Sequence, residues 1–339
     1  MTSAVVMAGY NNKWAVRKYA KTVAEHYGEK FIETGYKPLR EFEIRRGDHT
    51  IRKPLVQFVL ESLCASDRID EIVIVGHQML LEQRLRGFIE AAGKPCSIVN
   101  QNTRLSSEIV REFQIKSRKV KYNSIAGNMI KGYAATAAGT ERRHALFVAS
   151  DSPLTGHQYI DSFLEMATRY KDDDAIILPA VRVEGHMDTF GRYPVRLIND
   201  SDFPLTSKTD SVGRQGFRLS SLLFANPYRF DINTANTAYN LRKLLSPNIQ
   251  LKLFRITRNL GYKNLYSKYF LQKDLRISEV ENIATQFFHG SMKIIPVEDL
   301  GSSFDYDGTE DEFRRLTELL NRRVNAHDSA ISDSKNGSF

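Results

Sequence analysis

The residues best suited to chemistry are acids that follow apolar, strand-like runs. Asp151 comes directly after the run at 145–149, and the carboxyl ends of parallel strands are where open α/β sheets bind ligands. A carboxylate there can hold Mg²⁺ together with substrate phosphates, because Mg²⁺ usually takes only one or two protein carboxylates. Pro153 stiffens the loop that carries the acid. The structural alternative, which the sequence leaves open, is an Asp-initiated turn leading into a helix near Gly156.

A second acidic pair lies near the C-terminal end of the chain. Asp305 and Asp307 alternate, so in an extended segment their carboxylates point to the same side and repel each other until a cation relieves them. A helix is predicted directly after them, because Thr309 is followed three residues later by Glu312, the pattern of a capping box. The alternative interpretation is that both acids are stabilised by the positive N-terminus of that helix.

Two further stretches are suited to binding phosphate. Lys37, in front of a proline and a leucine, is a compact point charge that matches phosphate oxygens. A turn follows the first apolar run, and its glycine lets the backbone approach a ligand closely while exposed amides hold phosphate. This turn comprises Ala8, Gly9, Tyr10, Asn11, Asn12 and Lys13. Taken singly, each stretch is better explained as an ordinary strand–helix turn or as a surface lysine before a turn-forming proline.

The elements that must position these residues alternate between strands and helices. Short, nearly all-apolar runs bounded by polar residues or glycine predict strands at 4–8, 71–76, 96–100, 145–149, 175–181 and 292–297. Segments with apolar residues at helical spacing lie between them. This alternation predicts an α/β fold, with a Rossmann-like, mainly parallel sheet flanked by helices. The sequence from about 183 to 228 is rich in Gly, Pro, Asp and Ser and predicts an added antiparallel ribbon, which a C-terminal helical extension follows.

The composition divides the chain into four predicted regions. They are an α/β core at 1–230, a basic helical region at 231–290, the last core strand with the acidic loop and capped helix at 291–325, and a disordered tail at 326–339. Residues 226–277 contain ten basic residues and only two acidic ones. We interpret this segment as a substrate lid or a homodimer surface, with binding to an anionic membrane surface as a lesser alternative.

Overall charge and composition narrow the classes of function. The net charge of +8 is compatible with a polyphosphate substrate, although an ordinary basic protein would also show it. No apolar run approaches the ~20 residues that span a bilayer, so no transmembrane segment is expected. With Cys64 and Cys96 as the only cysteines, we expect a reduced, cytoplasmic protein without a disulfide scaffold. No nucleic-acid-binding module is recognisable, so no nucleic-acid partner is expected.

Taken in order, these motifs resemble the GT-A-like nucleotidyltransferases, and more narrowly the type that includes molybdenum-cofactor guanylyltransferase and the sugar-phosphate nucleotidyltransferases. The resemblance covers about residues 3–183 and 292–323, and the order of the motifs carries it rather than any single one. The matching stretches are the glycine turn at 8–13, Lys37-Pro38-Leu39, the helix at 53–63, the segment 127–132, Asp151-Ser152-Pro153-Leu154, and Asp305 and Asp307 with Glu310 and Asp311.

The resemblance implies a reaction and a set of roles. A phosphate of a small-molecule acceptor would attack the α-phosphorus of an NTP and release pyrophosphate, with Mg²⁺ as cofactor and without a covalent protein intermediate. Lys37 and Asp151 would be the catalytic residues, and Asn128 would touch the nucleoside. The nucleotide would lie against Ala8, Gly9, Tyr10, Asn11 and Lys13, and the metal would be held by Asp151 and Asp307 with Asp305 nearby.

The sequence departs from the family pattern at the nucleotide loop. Tyr10, Asn11 and Asn12 stand where the family has glycines, Lys13 or Arg17 must take the place of an arginine, and an insertion-like helix is predicted at 15–27. Two alternatives therefore stay open. One is a GT-A glycosyltransferase that uses a nucleotide-sugar, and the other is a catalytically degenerate nucleotide-binding protein.

Overall fold

The computed structural model of the protein describes residues 1–9, 35–46, 49–118, 120–183, 195–199, 215–242, 264–265, 267–272, 275–306 and 308–336. Several sequence-based predictions lie outside these residues. They are the nucleotide-loop residues Tyr10, Asn11 and Lys13, the helix at 15–27, the predicted metal ligand Asp307, and residues 243–263 of the basic segment.

Eleven strands are assigned in the described residues, and the bounds of six of them, β1, β4, β5, β6, β7 and β11, agree closely with the predicted apolar runs. In chain order they are β1 (Ser3–Ala8), β2 (Glu41–Arg46), β3 (His49–Pro54), β4 (Glu71–Gly76), β5 (Cys96–Asn100), β6 (Ala145–Ala149), β7 (Ile176–Arg182), β8 (Val195–Leu197), β9 (Gln215–Leu219), β10 (Leu222–Ala225) and β11 (Met292–Val297).

The central sheet has the order β5-β4-β1-β6-β10-β7-β9-β8, with β11 also paired to β7. Strands β5, β4, β1 and β6 run parallel to one another, and β11 runs parallel to β7. Strand β10 is antiparallel between β6 and β7, and β8 and β9 continue the antiparallel side. The predicted mixed α/β fold with a mainly parallel central sheet is confirmed, and the antiparallel strands follow where the composition changes.

Strand β1 shows why this sheet must be covered on both faces. Ala4, Val6 and Ala8 belong to one hydrophobic cluster, whereas Val5 belongs to a second cluster on the opposite face. All four side chains are completely buried. Because successive side chains of a strand point to opposite faces, an unbroken apolar run fits only a strand with helices on both sides.

Helices cover both faces of the sheet. They are α1 (Leu55–Ala65), α2 (Gln78–Ala91), α3 (Ser107–Glu112), α4 (Ile125–Ala134), α5 (Ala137–Thr140), α6 (His157–Ala167), α7 (Ile232–Arg242), α8 (Ile277–Phe288) and α9 (Glu310–Asn336). Helix α4 lies very close to the sheet, because a Cβ atom at Gly132 would be 2.3 Å from Val5 Cγ1 and 2.7 Å from Val75 Cγ2. This close approach brings the side chains of α4 to the ends of β1 and β4.

A separate two-stranded antiparallel ribbon, β2–β3, packs against α9. Phe42 and Ile44 of the ribbon form a third hydrophobic cluster with Tyr306, Leu316 and Leu320. This cluster attaches the C-terminal segment to the part of the chain that precedes α1.

The predicted start of helix α9 is confirmed. The Thr309 amide donates to the Glu312 carboxylate at 3.3 Å, and the Glu312 amide donates to the Thr309 hydroxyl at 3.2 Å. The described helix continues to Asn336, into the stretch for which the sequence predicts a disordered tail, because no proline or glycine interrupts it before Gly337. Among the described residues, no helix is both long and apolar enough to cross a membrane.

Candidate functional site

Two of the predicted site residues, Gly9 and Asp151, lie at the carboxyl edge of the parallel strands. Gly9 follows β1, His77 follows β4, Gln101 follows β5, and Ser150 with Asp151 follows β6. Because β5, β4, β1 and β6 are adjacent and parallel, the chain leaves all four strands at the same edge. This edge is where the remaining parts of the site come together.

Lys37 and Asp151 form an ion pair at this edge, although 114 positions separate them in the sequence. Lys37 Nζ lies 2.6 Å from Asp151 Oδ2, and the two side chains are only 20% and 24% exposed. The same ammonium donates to the carbonyl oxygen of Tyr306, whose amide in turn donates to the Asp151 carbonyl at 2.8 Å. Three distant segments therefore converge on one partly buried cation–carboxylate pair.

Tyr36 holds the segment that carries Lys37 against the sheet edge. Its hydroxyl donates to the Ala8 carbonyl at 2.6 Å and accepts from the His77 amide at 2.9 Å, so it bridges the ends of β1 and β4. Burial raises the pKa of this phenol well above its usual value, so it acts as a neutral hydrogen-bonding group. Gly76 makes room for it, since a Cβ there would be 2.4 Å from the Tyr36 oxygen.

Helix α9 and the loop after β11 both contact the loop that carries Asp151. Arg323 of α9 donates to the Pro153 carbonyl at 3.3 Å. Gly301 lies so close to this loop that a Cβ atom there would be 2.6 Å from the Leu154 carbonyl oxygen. The hydroxyls of Ser152 and Ser221 share a hydrogen bond. These contacts hold the acid rigidly at the edge, as a preorganised charged site requires.

The side of the edge next to Gly9 is lined by buried amides. Asn128, on α4, is 3% exposed, and its Nδ2 atom would lie 2.6 Å from a Cβ atom at Gly9. Gln101 is 4% exposed, and its Oε1 atom would lie 3.1 Å from the same position. Asn128 Oδ1 is buried and has no hydrogen-bond partner in the described part of the chain. Only a glycine at position 9 leaves space between these amides and the strand end.

The predicted metal ligands are only partly brought together. Asp305 precedes Tyr306, which contacts the Asp151 loop, but the Asp305 carboxylate lies 3.5 Å from the Arg218 guanidinium. Within the described ranges no group of three or more potential metal-binding side chains occurs, and Asp307 is not among those residues. Asp151 Oδ1 accepts no hydrogen bond from the described residues, so one oxygen of this carboxylate is available to a ligand.

The sequence places Gly9 and Asp151 at strand ends, and only the resemblance connects Lys37 and Asn128 with them. The structure brings all four to one edge. Sequence reasoning missed Tyr36 and Gln101. Tyr36 directly precedes Lys37, and Gln101 directly follows a predicted strand, so position relative to the predicted elements was the available signal in both cases. Neither residue belongs to a motif that suggests its role.

Comparison with known proteins supports the fold. A hypothetical transferase from Thermus thermophilus has a similar structure, with 19% identity, a TM-score of 0.51, and coverage of 92% of this chain and 99% of that one. At this level of identity the likeness shows a shared fold. The sequence matches no protein-family model and no curated protein.

Two further solved structures also align over nearly their whole length. One is a CMP:2-keto-3-deoxy-manno-octonic acid synthetase complexed with CTP, at 10% identity and a TM-score of 0.48, covering 95% of this chain and 100% of that one. The other is a 4-diphosphocytidyl-2C-methyl-D-erythritol synthase from Anaerococcus prevotii, at 12% identity and a TM-score of 0.42, covering 94% and 96%. Both scores are too low to add to the likeness described above.

Tyr36→Phe is expected to lower both stability and activity. The substitution removes the hydroxyl that joins β1 to β4 and leaves the His77 amide without its acceptor, which costs about 1–3 kcal/mol for a buried group. Because Lys37 follows directly, its ammonium loses its fixed position and turnover falls. Chemical denaturation and the steady-state rate of the reaction proposed below measure the two effects.

Tyr133→Phe is the matched control for this substitution. The Tyr133 hydroxyl also donates to a carbonyl, that of Arg143 at 2.6 Å, but it lies near the opposite edge of the sheet. This variant is expected to lose stability and retain activity. Equal losses of activity in both variants would show that Tyr36 acts through general stability alone.

Proposed function

We propose that the protein is a Mg²⁺-dependent nucleotidyltransferase that transfers a nucleoside monophosphate from an NTP to a phosphorylated small molecule and releases pyrophosphate. The observation that carries this proposal is the Lys37–Asp151 pair, held at 2.6 Å at the carboxyl edge of the sheet. A fixed cation beside a carboxylate, both next to a strand-end glycine flanked by buried amides, suits a polyphosphate better than an uncharged ligand.

Each residue of the site has a distinct part in this proposal. Lys37 neutralises negative charge that develops around the α-phosphorus, because its ammonium is fixed before substrate binds. Gly9 lets the nucleotide approach the end of β1, and Asn128 contacts the nucleoside. For Ala8, Tyr10, Asn11 and Lys13, contact with the nucleotide remains a prediction from the sequence.

The donors near Asp151 fit a hard divalent cation. Carboxylate oxygens are the ligands that Mg²⁺ prefers, and one or two of them suffice when substrate phosphates complete the coordination. Asp151 would hold the ion through its available oxygen, with Asp305 and the sequence-predicted Asp307 as the other candidates. When bound, Mg²⁺ supplies positive charge to the phosphates of the NTP.

The reaction balances without a protein-bound intermediate. An oxygen of the acceptor phosphate forms a bond to the α-phosphorus, and the bond from the α-phosphorus to the bridging oxygen of pyrophosphate breaks. The attacking oxygen is already anionic near neutral pH, so no base is needed to remove a proton. The protein contributes by positioning both substrates and neutralising charge.

Product analysis tests this proposal and separates the alternatives. The full chain is incubated with Mg²⁺, each NTP in turn, and a mixture of sugar phosphates, and pyrophosphate is measured. We expect pyrophosphate release that depends on both the NTP and an acceptor. Release of a nucleoside diphosphate from a nucleotide-sugar would instead indicate a glycosyltransferase, and NTP binding without any turnover would indicate a degenerate nucleotide-binding protein.

Homodimerisation and a cytoplasmic location remain part of this proposal on sequence grounds.

A further inference from the structure

Lys131 is a buried lysine whose hydrogen-bond partners in the described part of the chain are neutral carbonyl groups. It lies on α4, is 7% exposed, and its ammonium donates to the carbonyl oxygens of Gln101 and Tyr122. Burial lowers the pKa of this ammonium to about 8, and no acidic group among the described residues contributes to the shift. A buried charge without a counter-charge costs folding free energy, so its presence calls for an explanation other than stability.

The two carbonyls that Lys131 joins belong to separate segments beside the candidate nucleotide site. Gln101 follows β5. Its backbone amide donates to the carbonyl oxygen of Gly76, at the end of β4, at 2.8 Å. Tyr122 belongs to the segment that precedes α4. Besides the bonds to the ammonium, the polar contacts between these segments include an Asn123–Asn102 side-chain bond of 3.3 Å and a Leu105–Lys121 backbone bond of 3.0 Å.

The loop after β5 and the segment before α4 also position the side-chain amides of Gln101 and Asn128, which lie next to Gly9. Asn128 precedes Lys131 by three residues, so the two side chains share one face of α4. The Asn128 amide donates to the Asn123 side chain at 3.3 Å, and Asn123 lies next to Tyr122. A shift of either segment would therefore move the Gln101 amide or the Asn128 amide away from Gly9.

We propose that Lys131 is a positioning residue for nucleotide binding, whose ammonium joins the loop after β5 to the segment before α4 and so holds the amides of Gln101 and Asn128 against Gly9. This inference rests on the proposed function, because it assumes that a nucleoside binds beside Gly9. Lys131 does not contact the reacting atoms. Asp151 follows β6, three strands away from β5, so the chemical step itself does not depend on Lys131.

Lys131→Met tests this role, with Lys121→Met as the matched control. Lys121 lies in the same segment before α4, and its hydrogen bonds to Leu105 and Ser117 are made by its backbone, so the substitution leaves both in place. For Lys131→Met we expect the KM and the Kd for the NTP to rise at least tenfold, with kcat at saturating NTP changed less than twofold. Lys121→Met is expected to match the wild-type protein in all three quantities.

Hydrogen exchange of the free protein tests, without an activity assay, whether Lys131 joins the loop after β5 to the segment before α4. Backbone amides at 100–105 and 120–124 are expected to exchange faster in Lys131→Met than in wild-type protein, because local opening becomes easier. Unchanged exchange together with an unchanged Kd would overturn the positioning role. Wild-type protein that binds no NTP at all would overturn the proposed function instead, so the two failures are distinguishable.

The pH dependence of NTP binding is a second test, which compares wild-type protein with Lys131→Met. Raising the pH from 7 to 9 passes through the pKa of about 8 and removes the charge of Lys131. The neighbouring segments carry Arg104 and Lys121, and neither contributes to that shift. The Kd for the NTP is expected to rise over this range in wild-type protein and to rise less in Lys131→Met. Parallel profiles in both proteins would contradict the proposal.

Discussion

Asp151→Asn is expected to fold like wild-type protein and to lose turnover by roughly two to three orders of magnitude, the loss expected when a charge that stabilises the transition state is removed. Asparagine keeps the shape and the backbone contacts of the loop, including the Tyr306 amide bond to the residue 151 carbonyl. It removes the charge that pairs with Lys37 and that would bind a divalent cation. The kcat/KM for pyrophosphate release measures the effect, and circular dichroism checks the fold.

Glu61→Gln is the matched control for Asp151→Asn. Glu61 is also a partly buried carboxylate in an ion pair, with Lys53 at 2.8 Å, and its side chain is 34% exposed compared with 24% for Asp151. It lies on α1 and pairs with Lys53 rather than with Lys37 or Asp151. Loss of an ion pair of this kind costs little on its own, so activity is expected to persist. Wild-type turnover in Asp151→Asn would refute the role of this acid.

A titration with Mg²⁺ adds a readout that a purely structural acid would not change. In wild-type protein, activity is expected to require Mg²⁺, and Asp151→Asn is expected to need a higher concentration for its residual activity. Asp305→Asn then tests the second candidate ligand. If the Mg²⁺ requirement is unchanged in both variants, the metal is held elsewhere, and the sequence-predicted Asp307 becomes the remaining candidate among these acids.

The parallel part of the fold is predictable from the sequence because its strands are buried on both faces. Such strands read as unbroken apolar runs, and the predicted bounds of β4, β5, β6 and β11 agree with the structure. The juxtaposition of Lys37 and Asp151 is less directly predictable. The end of a parallel strand locates Asp151, but what brings Lys37 to it is a tyrosine hydroxyl between two strand ends.

The sequence of the ribbon β2–β3 carries a strand pattern of its own. Phe42 and Ile44 alternate with charged residues, which is the pattern of a strand with one buried face. What the pattern could not show is the partner of that face. Helix α9, more than 250 positions later, supplies Leu316 and Leu320, and such a long-range contact has no local signature.

The buried polar groups of the site are the least predictable part. Gln101, Asn128 and Lys131 lie in segments whose sequence gives no reason to bury an amide or an ammonium. Their burial follows from the close approach of α4 to the sheet, which Gly132 permits. Local sequence patterns and global packing disagree at these positions, as they often do where structure serves a ligand.

Lys37→Met is expected to have an effect on turnover comparable to that of Asp151→Asn, because it removes the fixed cation of the pair. Methionine keeps much of the apolar length of the side chain and therefore preserves packing. It leaves Asp151 without its partner at 2.6 Å and the Tyr306 carbonyl without that donor. The expected result is a fall in kcat of about 100-fold or more, with a smaller change in the KM for the NTP, since the charge is needed most in the transition state.

Lys53→Met separates this catalytic effect from the loss of a partly buried ion pair. Lys53 lies 2.8 Å from Glu61, and its side chain is 25% exposed, close to the 20% of Lys37. The two lysines therefore have similar exposure and differ in the carboxylate that each holds, Asp151 for Lys37 and Glu61 for Lys53. Lys53→Met is expected to retain turnover within a few-fold of wild-type protein, and an equal loss in both variants would contradict the role of Lys37.

The double variant Lys37→Met/Asp151→Asn decides whether the two residues act as one unit. If the ammonium and the carboxylate serve the same transition state, removing the second partner costs much less than removing the first, so the free-energy changes are far from additive. If Asp151 binds the cation independently of Lys37, the two losses instead multiply. Sub-additive losses would make the ion pair the functional element, whereas multiplied losses would assign Lys37 to the phosphates and Asp151 to the metal as separate contributors.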